Sequence, residues 1–164
     1  LVSIGQGRPE LDIEIPNRHM GVINDDALLS CVYSAADVFV CPSLQDNLPN
    51  TVMEAMACGT PVVAFDAGGI PDMVRSEVTG LLVPTGNPGA LHDALASLLE
   101  DRARRDKMAD SCRRIALQEY SSEVQARRYA ELYENMAEAH PDAGEVFCRC
   151  KTPVCNDPMG SCER

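Results

Sequence analysis

The chain has 164 residues, 45% hydrophobic and 24% charged, enough for one domain with its own core. Aromatics make up 4% and Trp is absent, so that core is expected to be aliphatic. A formal net charge of -11 argues against a general electrostatic grip on nucleic acid or an anionic membrane. A local anion site made of backbone N–H groups needs no Lys or Arg and stays open.

In chain order, Leu1-Val2-Ser3-Ile4-Gly5 reads as a strand ending in the turn Gly5-Gln6-Gly7. The chain opens inside that strand-like run and without an initiator Met, as expected of a piece of a longer protein. His19 to Ile23 reads as a short strand. Asp25 and Asp26 open a helix whose spacing predicts Ala27, Leu28, Cys31, Val32 and Ala35 on its inner face. Asp37 to Cys41 is a nearly all-apolar run, which suits a parallel strand covered on both faces. Pro42 to Pro49 is loop. Asn50 or Thr51 is expected to cap a helix running to about Cys58, with Gly59 as its stop.

Pro61 to Phe65 and Leu81 to Val83 read as further buried strands, with a short helix from Ile70 between them. Pro88 to Glu100 is amphipathic, with Leu91, Leu95, Leu98 and Leu99 expected inward. Helical patterns continue through Asp101–Tyr120 and Ser122–Ala139. Strands alternating with helices predict an α/β fold, a Rossmann-like doubly wound parallel sheet with C-terminal helices. The expected organisation is one domain over 1–140 and a Cys-rich, irregular tail over 141–164. No apolar run approaches the roughly eighteen residues needed to span a bilayer.

The eight cysteines fall into two sets. Cys31, Cys41, Cys58 and Cys112 lie in apolar surroundings and are expected as buried free thiols. Cys148, Cys150, Cys155 and Cys162 have the spacing C-x-C-x4-C-x6-C, which is not a usual zinc pattern. An irregular extension, a disulfide-linked tail and a metal-binding tail all remain open there. His19, His92 and His140 form no ligand spacing and read as surface or structural residues.

The segment Pro42 to Val74 concentrates the chemistry, because ligands of open α/β sheets bind at the carboxyl ends of strands. Two readings of Glu54 compete. Thr51-Val52-Met53-Glu54 fits a T-x-x-E capping box, in which Glu satisfies a free backbone N–H. A carboxylate near that helix start can also accept two hydroxyls of a ribose. Asp46 is either an Asx-type turn with Asn47 or a second crevice carboxylate. Asn47, Leu48, Asn50 and Thr51 surround a helix start whose N–H groups and partial positive charge suit a pyrophosphate. Gly68 and Gly69 end the next strand, where glycine either permits close backbone approach to a ligand or makes a plain tight turn. A glycosidase reading of the two acids is disfavoured, since one loop and its own helix start cannot flank a scissile bond from both sides. Asp66 reads equally as a loop cap or a site acid.

These residues carry a family resemblance. Val38–Ser43, then Asp46 and Glu54 at E-x7-E spacing, then E-A-M-A-C-G-T-P-V-V-A from Glu54 to Ala64, then GGIPDMV and TGLLVP, closely resemble retaining glycosyltransferases of the GT-B fold, of the group 1 (family 4) type. The resemblance spans roughly Leu1 to Ala139 and implies the carboxyl-terminal, donor-binding half of that fold, truncated at its start. It implies that Glu54 binds the donor ribose, that Asp46 lies by the transferred sugar, and that loop amides hold sugar and diphosphate. Asp stands at position 46 where the family pattern has Glu. The family's G-R-…-K-G segment, whose Arg and Lys clamp the diphosphate, has no counterpart here.

The implied activity is transfer of a sugar from a nucleotide diphosphate sugar to a hydroxyl acceptor with retention, in polysaccharide biosynthesis. The implied partners are the donor and a glycan or lipid-linked acceptor bound mainly by an N-terminal domain, with no nucleic acid. No metal and no cofactor are implied, and the implied location is cytoplasmic or peripheral to the membrane. A non-catalytic nucleotide-sugar-binding module, an inactive fragment and a GT-B sugar-nucleotide epimerase are the alternatives.

Overall fold

The computed structural model describes residues 1–7 and 16–139, so His140 and the four tail cysteines lie outside the described residues. The chain divides into a unit over Leu1–Ser121 and a second unit that begins at Ser122.

Within the first unit, β1 (Val2–Ser3) and β2 (Arg18–His19) pair in parallel, with Ser3 opposite His19. Ser3 Oγ lies 3.0 Å from His19 Nδ1, which makes that histidine a structural one. The second strand is shorter and starts earlier than His19 to Ile23. A separate three-stranded parallel sheet has the order β3 (Phe39–Cys41), β4 (Val62–Phe65), β5 (Gly80–Val83). Helices α1 (Asp26–Ser34), α2 (Asn50–Ala57), α3 (Ile70–Met73), α4 (Pro88–Glu100) and α5 (Arg102–Glu119) complete the unit.

Strand β4 is buried at every residue. Val62 and Ala64 join a cluster with Val52 and Met56 of α2 and Cys112, Ile115 and Ala116 of α5. Val63 packs with Leu81, Leu98 and Met108, and Phe65 with Ala67 and Val83, near Leu91 and Ala94 of α4. Period-two alternation thus sends successive side chains of β4 to opposite helical layers. Each fully buried Val or Ile contributes about 1.5–3 kcal/mol relative to exposure. The sheet is therefore fixed at its centre, and its carboxyl ends present Pro42–Pro49 and Asp66–Gly69 as neighbouring loops.

Helix starts follow local chemistry. Asp25, Asn87 and Asp101 each accept a bond from a backbone N–H three residues on, at the starts of α1, α4 and α5. At the end of α4, the Arg105 guanidinium donates to the Leu98 and Leu99 carbonyls, both at 2.6 Å. The end of α2 is a Schellman arrangement. Gly59, at φ +78, donates to Met56 O, and Thr60 donates to Ala55 O, both at 2.9 Å.

Four expectations are corrected here. The inner face of α1 is Leu29, Val32 and Tyr33, whereas Ala27, Leu28, Cys31 and Ala35 are exposed. Nearly every residue of this nine-residue helix is apolar or small, so periodicity alone cannot select a face. Leu99 is exposed at the end of α4. Cys31 is exposed and Cys58 half-buried, leaving Cys41 and Cys112 as the buried thiols. Neither Asn50 nor Thr51 caps α2: the N-cap is Pro49, whose ring carries no hydrogen-bonding group.

The second unit's helix α6 spans Ser122–Ala139, with the rings of Tyr129 and Tyr133 stacked one turn apart at 6.3 Å. No helix among the described residues is long and apolar enough to cross a membrane.

Candidate functional site

Two contacts of different kinds hold the region at the carboxyl ends of β3 and β4. The first is main chain on main chain. Asp46 O accepts a 3.0 Å bond from Gly69 N, tying the loop after β3 to the turn after β4. A Cβ on Gly68 would lie 1.8 Å from Asp46 O, and one on Gly69 would lie 1.7 Å from Asn47 O. Gly68 also sits at φ +58, where L side chains are strained. Glycine at 68 and 69 therefore admits a neighbouring peptide. This close approach comes from the loop itself, and the Gly69 N–H is already taken. Asn47 and Leu48 remain exposed, while Asp46 is half-buried and its carboxylate makes no hydrogen bond or ion pair with the described residues. No Asx bond with Asn47 is present among them.

The second contact is side chain on side chain. Glu54 stands in the second turn of α2, not the first. The capping box is not formed, because the N-cap makes no side-chain hydrogen bond. Instead, Glu54 Oε2 accepts a 3.1 Å bond from the Tyr33 hydroxyl, in the last turn of α1. Tyr33 is 5% exposed, whereas Glu54 is exposed. Burial pushes the Tyr33 hydroxyl well above its ordinary range, and the Glu54 charge and hydrogen bond add to that rise. The phenol thus stays protonated and remains a donor.

Between these contacts lies the start of α2. The N–H groups of Asn50 and Thr51 have no acceptor within the helix, and no cap side chain takes one up. They add donors to the positive end of the helix dipole. The structure thus brings Asp46, Asn47, Leu48, Gly68 and Gly69 to one seam, puts Asn50 and Thr51 at the helix start beside it, and sets Glu54 one turn further along. Among the described residues, no three His, Cys, Asp or Glu side chains group as a metal site would. A separate concavity of about 320 Å³ is bordered by Ala36, Asp37, Gly59, Pro61 and Arg105. It opens at the amino ends of β3 and β4, away from this crevice.

Tyr33 escaped sequence reasoning. Its signal was a polar aromatic four residues after Leu29, on the face opposite to the one the apolar spacing favoured.

The family model for group 1 glycosyl transferases matches residues 1–101. The chain belongs to that family. Among curated relatives, this group 1 glycosyl transferase chain is 39% identical over 108 residues to alpha-maltose-1-phosphate synthase of Mycobacterium tuberculosis, covering 62% of the chain and 28% of that protein. It is 45% identical over 82 residues to D-inositol 3-phosphate glycosyltransferase of Corynebacterium glutamicum, covering 50% and 20%. The chain therefore spans less than a third of the length of these relatives. Sucrose-phosphate synthase of Thermosynechococcus elongatus superposes with a TM-score of 0.69 at 36% identity, covering 75% of this chain and 31% of that one. Anabaena HepE, solved with UDP-glucose, superposes at 0.66 with 27% identity, covering 74% and 33%. The parallel sheets with flanking helices match a Rossmann-like half of the GT-B fold, as the sequence blocks implied.

Proposed function

We propose that this chain is the donor-binding part of a retaining glycosyltransferase, acting on a nucleotide diphosphate sugar and a hydroxyl acceptor. The observation that carries the reading is Glu54. A carboxylate at a helix start is ordinarily explained as a cap, and here that explanation fails. Its Oε2 is held by a buried tyrosine while the residue stays exposed beside open helix N–H groups. A ribose offers two adjacent hydroxyl donors that suit such a carboxylate. Membership of the group 1 family and the likeness to HepE solved with UDP-glucose support the same ligand class.

In this reading, Glu54 anchors the ribose and the Asn50 and Thr51 N–H groups face the diphosphate. Departure of the nucleoside diphosphate is the hard step, and preorganised N–H dipoles stabilise the charge that develops on it. Asp46 lies by the transferred hexosyl group, where a carboxylate stabilises growing positive charge at the anomeric carbon. Acceptor recognition is assigned to residues outside this chain, and the location to the cytoplasm, where nucleotide sugars serve as donors.

The test is Glu54→Gln in the full-length protein carrying this chain, measured by calorimetry against a panel of nucleotide diphosphate sugars. Bonds to a charged acceptor contribute about 1.5–3 kcal/mol, so affinity for the preferred donor should fall roughly ten- to a hundredfold at unchanged melting temperature. A lower melting temperature with unchanged affinity would return Glu54 to a structural role.

A further inference from the structure

We propose that Tyr33 is a positioning residue for donor binding, fixing the carboxylate of Glu54 so that its free oxygen meets the ribose. The inference rests on Glu54 being the ribose ligand, as proposed above. It adds a residue outside the E-x7-E block, on a different helix.

Tyr33 is held at three points. Its hydroxyl donates to Glu54 Oε2 at 3.1 Å. Its ring meets Phe39 of β3 edge to face, with centroids 5.7 Å apart and planes at 78°. Its backbone carbonyl accepts a 2.7 Å bond from the hydroxyl of Thr60, which is 1% exposed. Thr60 is also the residue that closes the C-terminus of α2. The tyrosine therefore bridges the end of α1, the sheet, Glu54 itself and the residue that closes the C-terminus of its helix. A glutamate in a helix has three rotatable side-chain bonds, and an exposed one loses freedom when it binds a ligand. Tyr33 restricts that freedom before the ligand arrives, which is how preorganisation raises affinity. Burial and the neighbouring carboxylate keep the phenol protonated, so the restraint persists across the ordinary pH range.

The experiment is a double-mutant cycle on the full-length protein: parent, Tyr33→Phe, Glu54→Gln and the double variant. Each is titrated with the preferred nucleotide diphosphate sugar and with its 2′-deoxy and 3′-deoxy ribose analogues. Tyr33→Phe keeps the buried ring and removes only the donor. It should weaken the ribose donor about five- to tenfold, less than loss of a direct bond to a charged group, because the hydroxyl acts only through Glu54. It should raise KM with little change in kcat, shrink the preference for ribose over the deoxy analogues, and cost less in the Glu54→Gln background, where the amide oxygen still accepts the hydroxyl but the charge is gone. Phe39→Leu, which disturbs the same ring and spares the hydroxyl, should leave that preference intact.

An effect of Tyr33→Phe that persists in full beside Glu54→Gln, or that Phe39→Leu reproduces, would make Tyr33 a packing residue and overturn the inference. So would Glu54→Gln weakening the donor while Tyr33→Phe does not, which leaves the ribose reading of Glu54 standing. Unchanged affinity in Glu54→Gln would remove that reading itself, and the inference with it.

Discussion

The two contacts that hold the candidate site are built differently. At the seam between Asp46–Asn47 and Gly68–Gly69, main chain touches main chain, and side-chain chemistry enters only through the absence of a Cβ. At the Tyr33–Glu54 contact, two functional groups set the geometry. The first side is therefore sensitive to shape and has no titrating group in its contact. The second keeps its shape under conservative substitution but loses its chemistry. Substitutions at the glycines should report folding, and substitutions at Asp46, Glu54 and Tyr33 should report ligand and catalysis.

The largest expected effect is at the glycine seam. In Gly69→Ala the new Cβ would overlap the Asn47 carbonyl, a backbone atom that cannot rotate away. Relief requires the loop after β3 to lift, breaking the Gly69–Asp46 bond. Overpacking of this kind costs about 3 kcal/mol or more. Donor affinity should fall with stability, since the same loop carries Asp46 and leads into α2. Thermal melting together with calorimetry checks this. A stable Gly69→Ala protein that binds donor normally would show the seam to be looser than its contacts imply.

Asp46→Asn tests the other half of the distinction. The structural contribution of Asp46 is its carbonyl, which the substitution leaves in place. Stability and donor affinity should hold, while kcat falls about a hundredfold, in the range for removing one group that stabilises transition-state charge. Asp46→Glu, which restores the family's E-x7-E, should retain turnover. Steady-state kinetics decides, and normal turnover in Asp46→Asn removes Asp46 from the mechanism.

The contrast between main chain and side chain also governs what could be read from sequence. The bounds of helix α4 were legible to the residue, because Pro88 and the leucine spacing are local signals that agree on them, although Leu99 falls off the buried face. Strand β4 was legible because a short apolar run between turn residues suits a parallel strand covered on both faces. The start of α2 was misread. Thr51 and Glu54 satisfy a local capping pattern, yet the N-cap is Pro49, two residues ahead of Thr51, which moves Glu54 out of capping range. What moved Glu54's partner to Tyr33 is tertiary, a contact over 21 residues that no local pattern encodes. The inner face of α1 was missed for the same reason: with apolar residues around most of the helix, Phe39, Thr60 and Glu54 select Tyr33. For Gly68 and Gly69 the need for close approach was legible. That the approaching group is a neighbouring loop was not.

The smallest expected effect separates the two sides by pH. Tyr33 is buried and its hydroxyl is raised above its ordinary value of 10.0. Burial likewise pushes the Cys112 thiol in the core up to about 12, from an ordinary 9.0, while its Sγ donates to Thr79 O at 3.0 Å. Above pH 9 the unfolded chain releases the Cys112 proton and the folded chain keeps it. The folded state then binds more protons, so stability falls as pH rises, from about 9 until the folded thiol itself ionises near 12. Below pH 9 both states are protonated and this contribution is level. One pH unit above the unfolded value, the loss from Cys112 is about 1.4 kcal/mol. Tyr33 adds a loss of the same sign above pH 10. Urea unfolding at stepped pH from 7 to 10.5 should show the decline in the parent protein. Cys112→Ala should lower the plateau yet flatten the slope from pH 9, and Tyr33→Phe should flatten only its upper end. No variant at the glycine seam should change the slope, because nothing in that contact titrates. A slope that survives both Tyr33→Phe and Cys112→Ala would place the alkaline sensitivity elsewhere in the molecule.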